Sequence, residues 1–156
     1  MMMVLPILFA MAVVAVLLTL SSGRTRIPHA AGDWGSPGNS DPRVAAAAMM
    51  YAVANEDGPV NDAKNTQMRA LLTTTLGLTP EEAQVCLASG KRLAQRLSGS
   101  LNSRLHQLRA AIERSCSPQE KQDVVDMLRA VAGRSAERVP SVREALGRIA
   151  ASLLHG

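Results

Sequence analysis

The chain has 156 residues, enough for one compact domain with appendages but not for a second catalytic domain. Only 2% of it is aromatic, as Phe9, Trp34 and Tyr51; this argues against β sandwiches and barrels, and against modules that stack single-stranded nucleic acid on aromatic platforms. The net charge of +4 falls mainly in residues 79–116, which carry +3, and an anionic membrane surface attracts such a domain better than nucleic acid does.

From Met1 to Leu20 every side chain is apolar except Thr19. At about 1.5 Å per helical residue this run spans about 30 Å, the thickness of a bilayer's hydrocarbon core. No Lys or Arg precedes it, and the chain leaves it through Ser21-Ser22-Gly23-Arg24, so the reading is an uncleaved transmembrane anchor rather than a signal peptide. Arg24 and Arg26 lie directly behind it, which places the carboxyl-terminal domain in the cytoplasm, at a bacterial inner membrane crossed once. Residues 21–43 hold eleven Gly, Pro or Ser among twenty-three positions and show no helical or strand period; they form a flexible linker, in which Trp34 is most simply an exposed side chain.

The domain is expected over residues 44–156, with helices at about 44–55 and 62–76. Thr79-Pro80-Glu81-Glu82 and Ser117-Pro118-Gln119-Glu120 each offer a capping hydroxyl, a proline at the first helical position and a glutamate at the third, so two further helices start there. After the first start, Ala83, Cys86, Leu87, Gly90, Leu93, Ala94 and Leu97 share one face, and Gly90 marks a close helix approach. The outer face carries Lys91, Arg92 and Arg96. Leu101, Leu105, Leu108, Ile112 and Cys116 form the next stripe, Val124, Val125, Leu128, Val131 and Ala132 another, and Val142, Ala145, Leu146, Ile149 and Leu153 the last. The fold class is therefore all-α, a bundle of six helices. Cys86 and Cys116, on apolar faces without ligand spacing, read as ordinary thiols.

An internal repeat with an offset of 78 residues links Ala52-Val53-Ala54 to Ala130-Val131-Ala132, and Met68, Leu71 and Leu76 to Leu146, Ile149 and Leu154. Two helix-turn-helix halves packed about a pseudo-twofold would explain it. The turn of the first half, Asn55-Glu56-Asp57-Gly58-Pro59-Val60-Asn61-Asp62, sits where carboxylates could converge on a cation. A calcium loop would need a bidentate Glu six positions after its glycine, and that position holds Lys64. Asp57-Gly58 reads as a turn, and Asn61 or Asp62 as the cap of the next helix.

Met49-Met50-Tyr51-Ala52-Val53-Ala54 leading into Asp57-Gly58, the segment Leu76-Gly77-Leu78-Thr79-Pro80-Glu81-Glu82-Ala83, and Ser117-Pro118 with Met127-Leu128-Arg129-Ala130-Val131-Ala132 together resemble the TerB-like domain family. The family is known from tellurite-resistance proteins and from the amino-terminal part of membrane-anchored DjlA co-chaperones. The resemblance covers about residues 44–154 and implies an all-helical bundle of two related halves, each with an Asp-Gly turn and a Glu seven residues after the Asp, forming an acidic cluster thought to bind metal. Here that Glu is Lys64, and the second turn reads Gly133-Arg134-Ser135-Ala136-Glu137-Arg138, with Glu144 displaced by two positions. Asp57, Asp62 and Glu144 remain as weak candidates for a divalent-metal site, and no other cofactor is expected.

Co-chaperone activity of the DjlA type requires a His-Pro-Asp tripeptide. The histidines stand as His29-Ala30, His106-Gln107 and His155-Gly156, so no J domain is expected. No Gly-rich phosphate loop, Cys-x-x-Cys pair or His-Glu-x-x-His occurs, and the histidines lack catalytic neighbours. The expected function is a non-catalytic, membrane-anchored module that holds a protein partner, or itself as a homo-oligomer, at the membrane. The runner-up is a divalent-metal-binding, tellurite-type stress module.

Overall fold

A computed structural model of the protein describes residues 41–156. The anchor at 1–20, Arg24, Arg26, His29, Trp34 and all but the end of the linker lie outside the described residues. Within them the chain forms α1 (Pro42–Asn55), α2 (Asp62–Leu76), α3 (Pro80–Arg96), α4 (Leu101–Ser115), α5 (Pro118–Ala132), α6 (Ser135–Arg138) and α7 (Pro140–His155). The all-helical class holds, with no strand among the described residues. None of these helices is long and apolar enough to cross a membrane.

Two findings modify the expected layout. The first helix begins at Pro42, because Asp41 caps it by accepting from the Arg43 backbone N–H at 2.9 Å. The Arg43 guanidinium then grips the same carboxylate through Nε and Nη2 and is itself buried, so residues 41–43 belong to the domain rather than the linker. The second finding is α6, a seventh helix where a plain turn was expected. At four residues it is too short to leave a periodic apolar signal.

The caps carry the rest. Thr79 and Ser117 form capping boxes with Glu82 and Glu120, each side chain bonding back to its partner's backbone. Asn61 caps α2 through the Lys64 N–H, and Gly77 closes α2 in the left-handed conformation, at φ 68°. All the apolar stripes read from the sequence enter one core, with Leu97 and Cys116 only partly buried at its margin.

The axis of the fold is α1. Residues Ala45 to Met50 have no exposed surface, as befits a helix that is apolar all round, and α2, α3, α4 and α5 surround it while α7 packs on α4 and α5. A Cβ placed on Gly90 would lie 2.7 Å from the Ala47 Cβ, 2.7 Å from the Ala48 nitrogen and 2.8 Å from the Ala47 carbonyl carbon. Only glycine lets α3 come this close. Cys86 is fully buried, which pushes its thiol up to about 12, and burial pushes half-buried Cys116 up to about 11; both are free and protonated at neutral pH.

Candidate functional site

The acidic turn leaves α1 at Asn55 and enters α2 at Asp62, with Gly58 supplying the positive φ (109°) that the reversal needs. Glu56 points to the side and pairs with the Arg104 guanidinium of α4. Asp57 meets the connection between α5 and α7. Its Oδ2 accepts from the Ser135 hydroxyl at 2.8 Å and from Arg138 Nη2 at 2.9 Å, both on α6. The Ser135 hydrogen bond, together with the charges of Arg138 and Lys64, outweighs desolvation and holds the Asp57 carboxyl below its ordinary value of 3.8. Asp57 and Ser135 are 78 residues apart, the offset of the internal repeat.

Lys64 turns back from the first turn of α2, and its ammonium donates to the Ala54 carbonyl at 2.7 Å. It thus neutralises the negative end of α1, and the cation in direct contact with Asp57 is Arg138. The other candidate ligands stand apart from this centre in role: Asp62 is the exposed first residue of α2 and Glu144 lies on the solvent face of α7. Among the described residues no three His, Cys, Asp or Glu side chains come together as a metal-binding group. The residues present do not fit the acidic metal cluster that the resemblance implies, since the retained aspartate is hydrogen-bonded to a serine and an arginine.

The basic residues of α3 divide between two directions. Lys91 continues the row Gln84, Leu87 and Ala88 and lies over the Tyr51 ring, 5.9 Å from its centroid. Arg92 and Arg96, one turn apart, are exposed beside Val85, the large apolar side chain that stands out at 42% exposure. His106 and His155 are exposed.

Sequence reasoning missed Ser135 and Arg138 as partners of Asp57, although the 78-residue offset already aligned Asp57 with Ser135. It also missed Tyr51 beneath Lys91 and Arg104 opposite Glu56. Both pairs join segments that no local pattern connects.

A family model described as TerB, tellurite resistance protein TerB, matches residues 43–152. No curated protein and no solved structure matches the chain. The family match spans more than half of the chain, and the chain belongs to the TerB family, with a helical domain of the tellurite-resistance type.

Proposed function

We propose that this TerB-family chain is a non-catalytic interaction module, anchored in a bacterial inner membrane by residues 1–20, that holds an acidic partner or a second copy of itself at the cytoplasmic face. The observation that carries the reading is the contact of Asp57 with Arg138 and Ser135. The carboxylate standing where the family resemblance puts a metal ligand is used to join the turn after α1 to α6. Contact between positions equivalent under the repeat is what a pseudo-twofold through Asp57 and Ser135 would produce. On the outer face of α3, Arg92 and Arg96 stand exposed as a cationic pair. The anchor rests on the apolar run Met1–Leu20, and the cytoplasmic side on Arg24 and Arg26 behind it.

The runner-up, a divalent-metal-binding stress module built on Asp57, Asp62 and Glu144, rests on the family resemblance alone. Calorimetric titration with Zn²⁺, Ca²⁺ and Mn²⁺ separates the two. The wild-type chain should show no saturable binding in the micromolar range. Lys64→Glu alone should gain little, because Arg138 still covers Asp57. Lys64→Glu combined with Arg138→Gln should gain at least about tenfold in affinity, about 1.4 kcal/mol. Micromolar binding by the wild type would replace the interaction reading by the metal one.

A further inference from the structure

Where α1, α2 and α3 meet, a cleft of about 310 Å³ opens to solvent. Its polar lining is Tyr51 from α1, Asn65 and Arg69 from α2, and Gln84 and Lys91 from α3, with Leu87 as apolar wall. Two cations line it and no carboxylate does. Among the described residues the side chains of Asn65, Arg69 and Gln84 have no hydrogen-bond or ion-pair partner, and the Lys91 ammonium has only the face of Tyr51. Elsewhere among the described residues, Arg43, Arg104, Arg109, Arg129 and Arg138 are each matched by a carboxylate, while Arg92, Arg96, Arg114, Arg134, Arg143 and Arg148 form no ion pair. What sets the cleft apart is that its two unpaired cations, Arg69 and Lys91, line it together with two amides.

A concave site with two positive charges, amide and hydroxyl donors, and no acid selects an anion. The charge count selects further. A carboxylate would leave one cation uncompensated, whereas a phosphomonoester carries about −1.5 to −2 at neutral pH and presents three acceptor oxygens to a guanidinium, an ammonium and two amides. Leu87 and the Tyr51 ring offer contact for a small apolar or flat body bearing the phosphate.

We propose that this cleft binds a phosphomonoester dianion, either of a free small molecule or of a lipid headgroup. The inference goes beyond the function proposed above, since it requires neither the anchor nor a protein partner.

The test uses the full chain in a neutral detergent, titrated calorimetrically with phenyl phosphate and with benzoate, and the full chain in nanodiscs of phosphatidylcholine with and without phosphatidic acid. Phenyl phosphate should bind with a Kd of about 1 mM or tighter, and benzoate at least about tenfold more weakly. Arg69→Gln and Lys91→Gln should each lose about tenfold or more, and Gln84→Glu, which puts a carboxylate in the cleft, should abolish binding. Arg92→Gln with Arg96→Gln should leave phosphate binding intact, so a failed partner surface and a failed cleft are told apart. The variants change exposed side chains, and an unchanged Tm without ligand verifies their fold. Binding of phenyl phosphate alone assigns the site to free esters; binding of phosphatidic acid alone assigns it to lipid. Binding of neither, benzoate as tight as phenyl phosphate, or affinity unmoved by all three cleft variants would overturn the proposal.

Discussion

Gly90→Ala tests the central packing of the fold with one methyl group. The added Cβ would sit 2.7–2.8 Å from three atoms of α1, and two of these are backbone atoms of Ala47 and Ala48. No rotamer change relieves a backbone contact, and α1 is enclosed by α2, α3, α4 and α5, so the helices must separate. Overpacking of this kind costs up to about 3 kcal/mol, while exchanging glycine for alanine inside a helix returns about 1 kcal/mol. The net loss is about 2 kcal/mol, which lowers the Tm of a domain of this size by about 8 °C. Gly147 supplies the control. It is also inside a helix, but a Cβ there meets nothing within 4 Å, so Gly147→Ala should gain about 0.5–1 kcal/mol and melt a few degrees higher. Adding Ala47→Gly to Gly90→Ala removes only the Cβ contact, and the double variant should stay below wild type. Thermal melting of residues 41–156 followed by circular dichroism reads all four proteins. A Gly90→Ala protein that melts at or above wild type would refute the close approach of α3 to α1.

A protein beginning at Val44 should melt lower than one beginning at Asp41, because it lacks the α1 cap and the Arg43 pair; cap loss alone is about 1 kcal/mol, and identical melting curves would return residues 41–43 to the linker. The depressed Asp57 carboxyl stabilises the fold above its ordinary value of 3.8, and that contribution is lost as pH falls through the lower folded value. Asp57→Asn should therefore melt below wild type at neutral pH and converge on it below pH 3.8, and a gap that persists in acid would deny the Asp57 charge its role. A carboxyl-terminal reporter active only in the cytoplasm should be active on the full chain, and Arg24→Glu with Arg26→Glu should weaken that preference; periplasmic recovery of a shortened chain would identify residues 1–22 as a signal peptide.

Those parts of the fold governed by neighbouring residues were legible in the sequence. Thr79 with Glu82, and Ser117 with Glu120, announce helix starts because a capping box closes within four residues. Gly90 was legible because it interrupts an otherwise apolar face. The central place of α1 was not, since a helix buried on all sides has no stripe to reveal which side faces what. The partner of Asp57 was hidden for a different reason: Arg138 lies 81 residues away, on a helix of four residues. Lys64 shows the limit most clearly. Its ammonium meets the end of α1, while Arg138, 81 residues from Asp57 in sequence, meets the carboxylate.

That arrangement distributes charge in a way that bears on function. The loop after α1 gathers two negative features, the carbonyl end of α1 and the Asp57 carboxylate, and each is met by a cation of the chain: Lys64 on the Ala54 carbonyl and Arg138 on Asp57. A divalent ion approaching Asp57 would have to displace a guanidinium and a hydroxyl already in place, against the field of a nearby ammonium. An exchangeable ion ties loop geometry to the ion's concentration, whereas cations attached to the chain do not dissociate. The turn after α1 is therefore held to α6 by groups of the chain itself, Asp57, Ser135 and Arg138. For the interaction module proposed above, contacts made within the chain would spare the face carrying Arg92 and Arg96 from dependence on an exchangeable ion.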